Sequence, residues 1–244
     1  MCGRYTSPHL TQAQMLKLMR DFLDGPFREE IDEDAPQAVD SYNVKPTQQV
    51  QIQYVEGEVL VATTARWWFV PHWHKGDLKE WKATTFNARL ETAREKPVFR
   101  TAWAKGRCVI PATGYYEWTG EKGKKQPWLV ELDSNQPVMF FAGLWSALPD
   151  GVKTCTILTR DAAPQIQEVH HRMPVILSTD QIEPWLTGKA TDAEVLEQFG
   201  AGLDGRFKLT KVRPFGMKDD GPALLMAYEP EPDPEEAPLL FRDP

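Results

Sequence analysis

Directly behind the initiator methionine stand Cys2, Gly3 and Arg4. Methionine aminopeptidase removes Met1 when the next side chain is small, so Cys2 is expected to become the mature N-terminus. A terminal cysteine carries an α-amine and a thiol on adjacent carbons. Their reference pKa values are about 7.7–8 and about 8.5, so both nucleophilic forms are accessible near neutrality. Such a 1,2-aminothiol can take an aldehyde twice: the amine forms an imine, then the thiolate closes a five-membered thiazolidine. An internal cysteine cannot do this. The alternative is an incidental cysteine at a frayed terminus.

Other residues could serve that chemistry. Glu117 sits between Tyr116 and Trp118, and a carboxylate desolvated among rings gains a raised pKa suited to proton shuttling. The alternative is a structural ion pair with Lys122, Lys124 or Lys125. His170 and His171 precede Arg172; a histidine supplies a general acid near neutrality and the arginine a fork for phosphate. Pattern alone does not choose between the two histidines. Asn87 and Arg89 lie two apart and share a face if extended; an amide and a guanidinium there could hold a sugar hydroxyl and its phosphate, or Arg89 could simply pair with Glu91. Pro71–Trp73 reads as a turn bearing a flat ring on which a base could stack, although tryptophans this dense are mostly core. His72 and His74 alternate with no cysteine near them in sequence, a weak metal signal, so no metal site is expected.

Amphipathic spacing from Leu10 to Leu23 predicts a helix opened near Ser7 or Thr11 and stopped by Gly25-Pro26. Residues 29–40 are acidic and read as an exposed loop. Val50–Val55 and Glu58–Ala62 alternate about Glu56-Gly57, a hairpin signal. Further strands are expected at 108–110, 128–132, 138–144, 154–159 and 175–177. Short helices are expected after Asn87 and at 97–103, 162–169, 179–186 and 191–199. The pattern is α+β: a curved, mostly antiparallel, barrel-like sheet core with helices outside.

The 244 residues are 41% hydrophobic, enough for a substantial core. No run of about twenty apolar residues is present, so no membrane span is expected. The missing apolar leader points to the cytoplasm, with nucleoid association on DNA. Three scattered cysteines fit a reducing compartment, and without a C-x-x-C pair no structural zinc is expected. Net charge is −7, but residues 21–40 and 227–244 hold 14 of the acids, leaving 26 bases against 21 acids elsewhere. A local basic face is therefore compatible with the composition. Residues 2–226 read as the catalytic domain and 227–244 as a disordered acidic, proline-rich tail.

Taken in order, seven motifs resemble the SRAP (SOS-response-associated peptidase) family of abasic-site processing proteins. They are Met1-Cys-Gly-Arg4, Tyr42-Asn43 with Pro46, Trp67 with Pro71 and Trp73, Asn87-Ala-Arg89 with Glu91-Thr92, Arg107-Cys108 through Pro111-Ala112 and Gly114 to Tyr116-Glu117-Trp118, Ala142-Gly-Leu-Trp145, and His170-His-Arg-Met-Pro174. The resemblance implies capture of abasic sites in single-stranded DNA as a covalent cross-link, without a cofactor, by a monomer, with lyase and autoproteolytic side activities. It implies Cys2 as nucleophile, Asn87 on the opened sugar, Glu117 as acid and base, and His170 as the assisting histidine. Arg4, Pro46, Trp73, Arg89 and Arg172 match positions lining the family's DNA groove. Two departures stand out: Trp68 replaces the glycine usual after Trp67, and Lys45 replaces a small residue before Pro46. The competing readings are an N-terminal-nucleophile amidohydrolase and a non-enzymatic nucleic-acid-binding module.

Overall fold

The computed structural model describes residues 2–229 apart from 122, 135–137, 200 and 204. Most of the 227–244 tail therefore lies outside the described residues.

The chain opens with β1 (Tyr5–Thr6), α1 (Gln12–Arg20) and β2 (Arg28–Ile31). The hairpin of β3 (Gln49–Glu56) and β4 (Val59–Trp67) follows, then β5 (Asn87–Arg89), α2 (Leu90–Ala93) and α3 (Arg100–Lys105). Next come β6 (Arg107–Ala112), β7 (Gly114–Thr119), β8 (Gln126–Leu132), β9 (Met139–Ala147) and β10 (Lys153–Asp161). The last part holds α4 (Pro164–Gln167), β11 (Arg172–Pro174), β12 (Ile176–Leu177), α5 (Thr179–Thr187), α6 (Asp192–Gln198) and β13 (Phe207–Lys211).

Pairing of β10–β4–β3–β6–β9 returns from β9 to β10, closing a ring of five strands. The expected barrel-like, mostly antiparallel core is therefore present. Its parallel pairs are β10 with β4, β10 with β5, and β2 with β4. A second, antiparallel sheet in the order β1-β7-β8-β13 lies beside it.

Alternation along each strand sorts side chains into two packed layers. On one side Met15, Leu16 and Met19 of α1 and Ile182, Trp185 and Leu186 of α5 cover Leu60, Ala62, Val109 and Phe140. On the other, Cys2, Tyr5, Trp67, Tyr115, Phe141 and Ile157 fill a second cluster. Gly143 lies where β6, β9 and β10 crowd together. A Cβ there would stand 2.8 Å from Ile110 Cδ1 and 3.0 Å from both Cys108 Sγ and the Thr156 carbonyl, so any larger residue pushes the strands apart.

Three differences between expectation and structure have a clear physical reason. The first helix ends at Arg20, before Gly25, and is opened by a capping box between Thr11 and Gln14. The acidic stretch is not all loop: Arg28–Ile31 pairs in parallel with Val59–Ala62. Edge strands tolerate exposed charge on their outer face, so composition concealed it. The strand Gly114–Thr119 carries no alternation in hydropathy to announce it. It is buried on both faces, with Tyr115 and Tyr116 both inaccessible.

Candidate active site

Strand β7 is the platform. It runs between β1 and β8, with Tyr5 opposite Tyr115 and Glu117 opposite Trp128. Gly114 opens it where a Cβ would meet Leu129 Cδ1 at 2.9 Å and the Val130 carbonyl at 3.1 Å. Alternation turns Tyr116 and Trp118 to one side, where both rings pack against Phe215 and the Tyr116 hydroxyl donates to the Tyr42 carbonyl at 3.0 Å. Tyr115 and Glu117 point to the other side.

Glu117 is only 4% exposed. Burial raises its carboxyl to about 7, with the positive charges of the amino terminus and of His171 acting the other way. Lys124 and Lys125 are exposed. The desolvated carboxyl expected from Tyr-Glu-Trp is thus present.

Cys2 is fully buried, its Sγ 3.9 Å from the Arg4 carbonyl. It is no frayed terminus. Burial and the neighbouring Glu117 charge both push its thiol up, opposed by the amino terminus and the Arg4 contact. This corrects the expectation drawn from reference values: in the folded chain the sulfur remains a thiol at neutral pH. The cause is that a buried thiolate would face a carboxylate.

Asn87 opens β5 opposite Ile157, whose side chain belongs to the Cys2 cluster, whereas Ala88 packs into the helix-covered layer. Asn87 and Arg89 therefore share a face. The Asn87 amide donates to the Phe86 carbonyl at 2.9 Å, and its buried Oδ1 has no hydrogen-bond partner among the described residues.

His170 follows the turn that ends α4, its amide donating to the Ile166 carbonyl at 2.9 Å. The Arg172 amide donates to His170 Nδ1 at 2.9 Å, and the Arg172 carbonyl lies 3.0 Å from the same nitrogen. Proton exchange at this ring thus falls to Nε2. Desolvation lowers its pKa, reinforced by the amino terminus, Arg172 and Lys125, against the Arg172 backbone contact. His171 stacks on it at 4.4 Å but is exposed. The charge at the amino terminus thus perturbs Cys2, Glu117 and His170 alike.

The five groove positions divide. Trp73 is 49% exposed, edge-on to Trp81 at 5.8 Å, and Arg89 is exposed. Pro46 is half-buried beside Thr47, which holds a left-handed φ of 81°. Arg4 donates to Asn43 Oδ1 at 3.3 Å and to the Gly216 carbonyl at 3.1 Å, its guanidinium lying over Trp118 and Phe215. Lys45 Nζ donates to the Met217 carbonyl at 2.8 Å. Residues 215–219 thus form a strap across the start of the chain, which no sequence signal announced.

Arg172 is the clearest departure from expectation. Its guanidinium is buried and committed to Glu91 Oε1 and Oε2 at 2.7 and 2.9 Å, Asp161 Oδ1 at 2.5 Å and the Thr159 carbonyl at 2.6 Å. These acceptors take the donors a phosphate would need. They also take Glu91 away from Arg89, so the anticipated Arg89–Glu91 pair gives way to a longer-range one. Trp68, the residue in place of the usual glycine, donates to the Ala83 carbonyl at 3.1 Å and lies against Phe86 at 5.4 Å. It braces the 68–86 loop.

A cleft of ≈ 440 Å³ lies between residues 9–12 and 32–40. Its lining includes Asp32, Glu33 and Asp40, the wrong sign for a phosphate chain.

The family model for SOS response associated peptidase (SRAP) matches residues 1–214. The chain belongs to this family. It is 35% identical over 204 residues to the abasic site processing protein YoqW of Bacillus subtilis (strain 168), covering 81% of this chain and 85% of that one. Against the abasic site processing protein YedK of Escherichia coli (strain K12) it is 28% identical over 205 residues, covering 83% and 86%. Among solved structures, the same fold recurs in a Bacteroides thetaiotaomicron protein with TM-score 0.74 and 22% identity, covering 93% of this chain and all of that one. A Bordetella bronchiseptica protein matches with TM-score 0.67 and 25% identity over 87% of this chain. Among the described residues no helix is long and apolar enough to cross a membrane.

Proposed function

We propose that this SRAP chain captures abasic sites in single-stranded DNA as a covalent thiazolidine at Cys2, shielding the lesion. The observation that carries the reading is the pairing of a buried N-terminal thiol with a carboxyl, Glu117, poised at about 7. That its relatives are abasic site processing proteins supports this substrate class.

Removal of Met1 exposes the Cys2 amine. Its lone pair adds to C1 of the ring-opened sugar aldehyde, and the carbinolamine loses its oxygen as water to leave the imine. The sulfur then bonds to C1 and the thiol proton passes to nitrogen. One water is released and no oxidant or reductant is required. Glu117 collects the proton shed by the amine and returns it to the departing oxygen, which a carboxyl near neutrality does in both directions. His170 assists sugar-ring opening through Nε2, and the Asn87 carboxamide holds a sugar hydroxyl. Arg4, Pro46, Trp73 and Arg89 line the strand path, while Arg172 acts through Glu91. A strand free to splay its damaged sugar is the favoured substrate. Slow ring closure would divert the imine to β-elimination, hence a lyase side reaction. The chain acts as a monomer in the cytoplasm, joining the nucleoid on DNA.

The test is exposure to a single-stranded abasic oligonucleotide. A heat-stable adduct whose intact mass equals protein lacking Met1 plus DNA minus one water supports the reading. Ammonia release from glutamine without an adduct would replace it with an amidohydrolase.

A further inference from the structure

Tyr115 is fully buried, yet its hydroxyl has no hydrogen-bond partner among the described residues. Leaving a buried donor unpaired costs the desolvation of that group, and a phenylalanine of the same shape would avoid the cost. The adjacent Tyr116 shows the ordinary solution, donating to the Tyr42 carbonyl. The Tyr115 ring is fixed edge-on to Phe141 at 6.2 Å, and its strand position pairs with Tyr5 and Val130. Alternation along β7 sends it to the face that carries Glu117, and it packs in the cluster that contains Cys2.

We propose that the Tyr115 hydroxyl is the donor that holds the C1 oxygen of the opened sugar while that oxygen leaves. The inference rests on the abasic-site reading above and adds a catalytic residue to it. The amine nitrogen has by then bonded to C1; the C1–O bond breaks, the oxygen takes its proton from Glu117 and departs as water, and C1=N forms. Tyr115 stabilises the growing negative charge on that oxygen and keeps its own proton. Burial above all, with the Glu117 charge, holds the phenol well above its ordinary range, so it is a donor at every working pH. A preorganised donor aimed at developing charge in a dry site loses nothing to reorganisation.

The experiment compares the full chain with Tyr115→Phe in single-turnover cross-linking at saturating abasic single-stranded DNA. Binding is measured separately with a strand whose abasic sugar has been reduced to the alcohol. The expected result is adduct formation slowed about 10²-fold, reduced-strand affinity within twofold of the parent, an unchanged or higher Tm, and less borohydride-trapped imine at early times. A parental rate overturns the proposal, as does accumulation of trapped imine, which would move the role to ring closure. A fall in Tm with matching loss of reduced-strand binding makes the residue structural. If the parent chain itself forms no adduct, the abasic-site reading fails and this inference falls with it.

Discussion

Arg172 grips both carboxylate oxygens of Glu91, at 2.7 and 2.9 Å, across 81 residues of sequence. The bond ties the segment after Asn87-Ala-Arg89 to the strand that follows His170, so two candidate site residues are set by one clamp. Hydrogen bonds to charged groups contribute about 1.5–3 kcal/mol, and Glu91 is partly exposed, which favours the lower end. Glu91→Ala is expected to lower stability by about 1–2 kcal/mol in urea titrations. The same variant should slow cross-linking while leaving affinity for undamaged single strands within twofold. Affinity that falls with no change in stability would return Arg172 to the phosphates.

Cys2→Ala removes the sulfur and leaves only the reversible imine, so a heat-stable adduct should disappear while borohydride still traps a covalent species. Retention of Met1 converts the nucleophilic amine into an amide and should abolish both products. Mass spectrometry of an active preparation checks this directly; an uncleaved Met1 in the adduct contradicts the mechanism.

Glu117→Gln is expected to slow cross-linking by about 10²–10⁴-fold, the usual worth of a general acid–base group. It also predicts a pH signature. The carboxyl is near 4.5 in the unfolded chain and about 7 in the folded one, so between those values the folded state binds the extra proton. This group's contribution is thus intact below about pH 4.5, is lost as pH rises through 7, and stays lost above. The shift corresponds to about 3 kcal/mol. Glu117→Gln should therefore be more stable than the parent at pH 8 by up to about that amount and equal to it near pH 4. Parallel stability curves would remove the raised carboxyl.

Trp73 exposes half its surface beside Trp81, so Trp73→Ala should leave Tm unchanged. If its ring stacks on a base, single-strand affinity falls by about 1–3 kcal/mol, measured by fluorescence anisotropy at fixed salt. An unaltered affinity makes it an ordinary surface residue.

Much of the candidate site was legible in the sequence because the chemistry proposed for it depends on residue type. Cys2 directly behind the initiator methionine, Glu117 between rings and Asn87 two residues from Arg89 each carry a physical reason that needs no fold. What escaped was set by packing. The Glu117 strand hid because it is buried on both faces and so shows no alternation. The raised Cys2 pKa is invisible in sequence because reference values omit burial and a neighbouring carboxylate. Arg172 read as a phosphate fork because its true partners, Glu91 and Asp161, come from other elements. Nothing in the sequence separates Tyr115 from a core aromatic; its buried hydroxyl without a hydrogen-bond partner among the described residues does.

The strap at 215–219 bears on how any polyanion would approach. Arg4 and Lys45 already spend hydrogen bonds on the Gly216 and Met217 carbonyls. An incoming phosphate at either cation must evict those carbonyls, so strand and strap are rival tenants of the same donors. Entry there is an exchange rather than an addition.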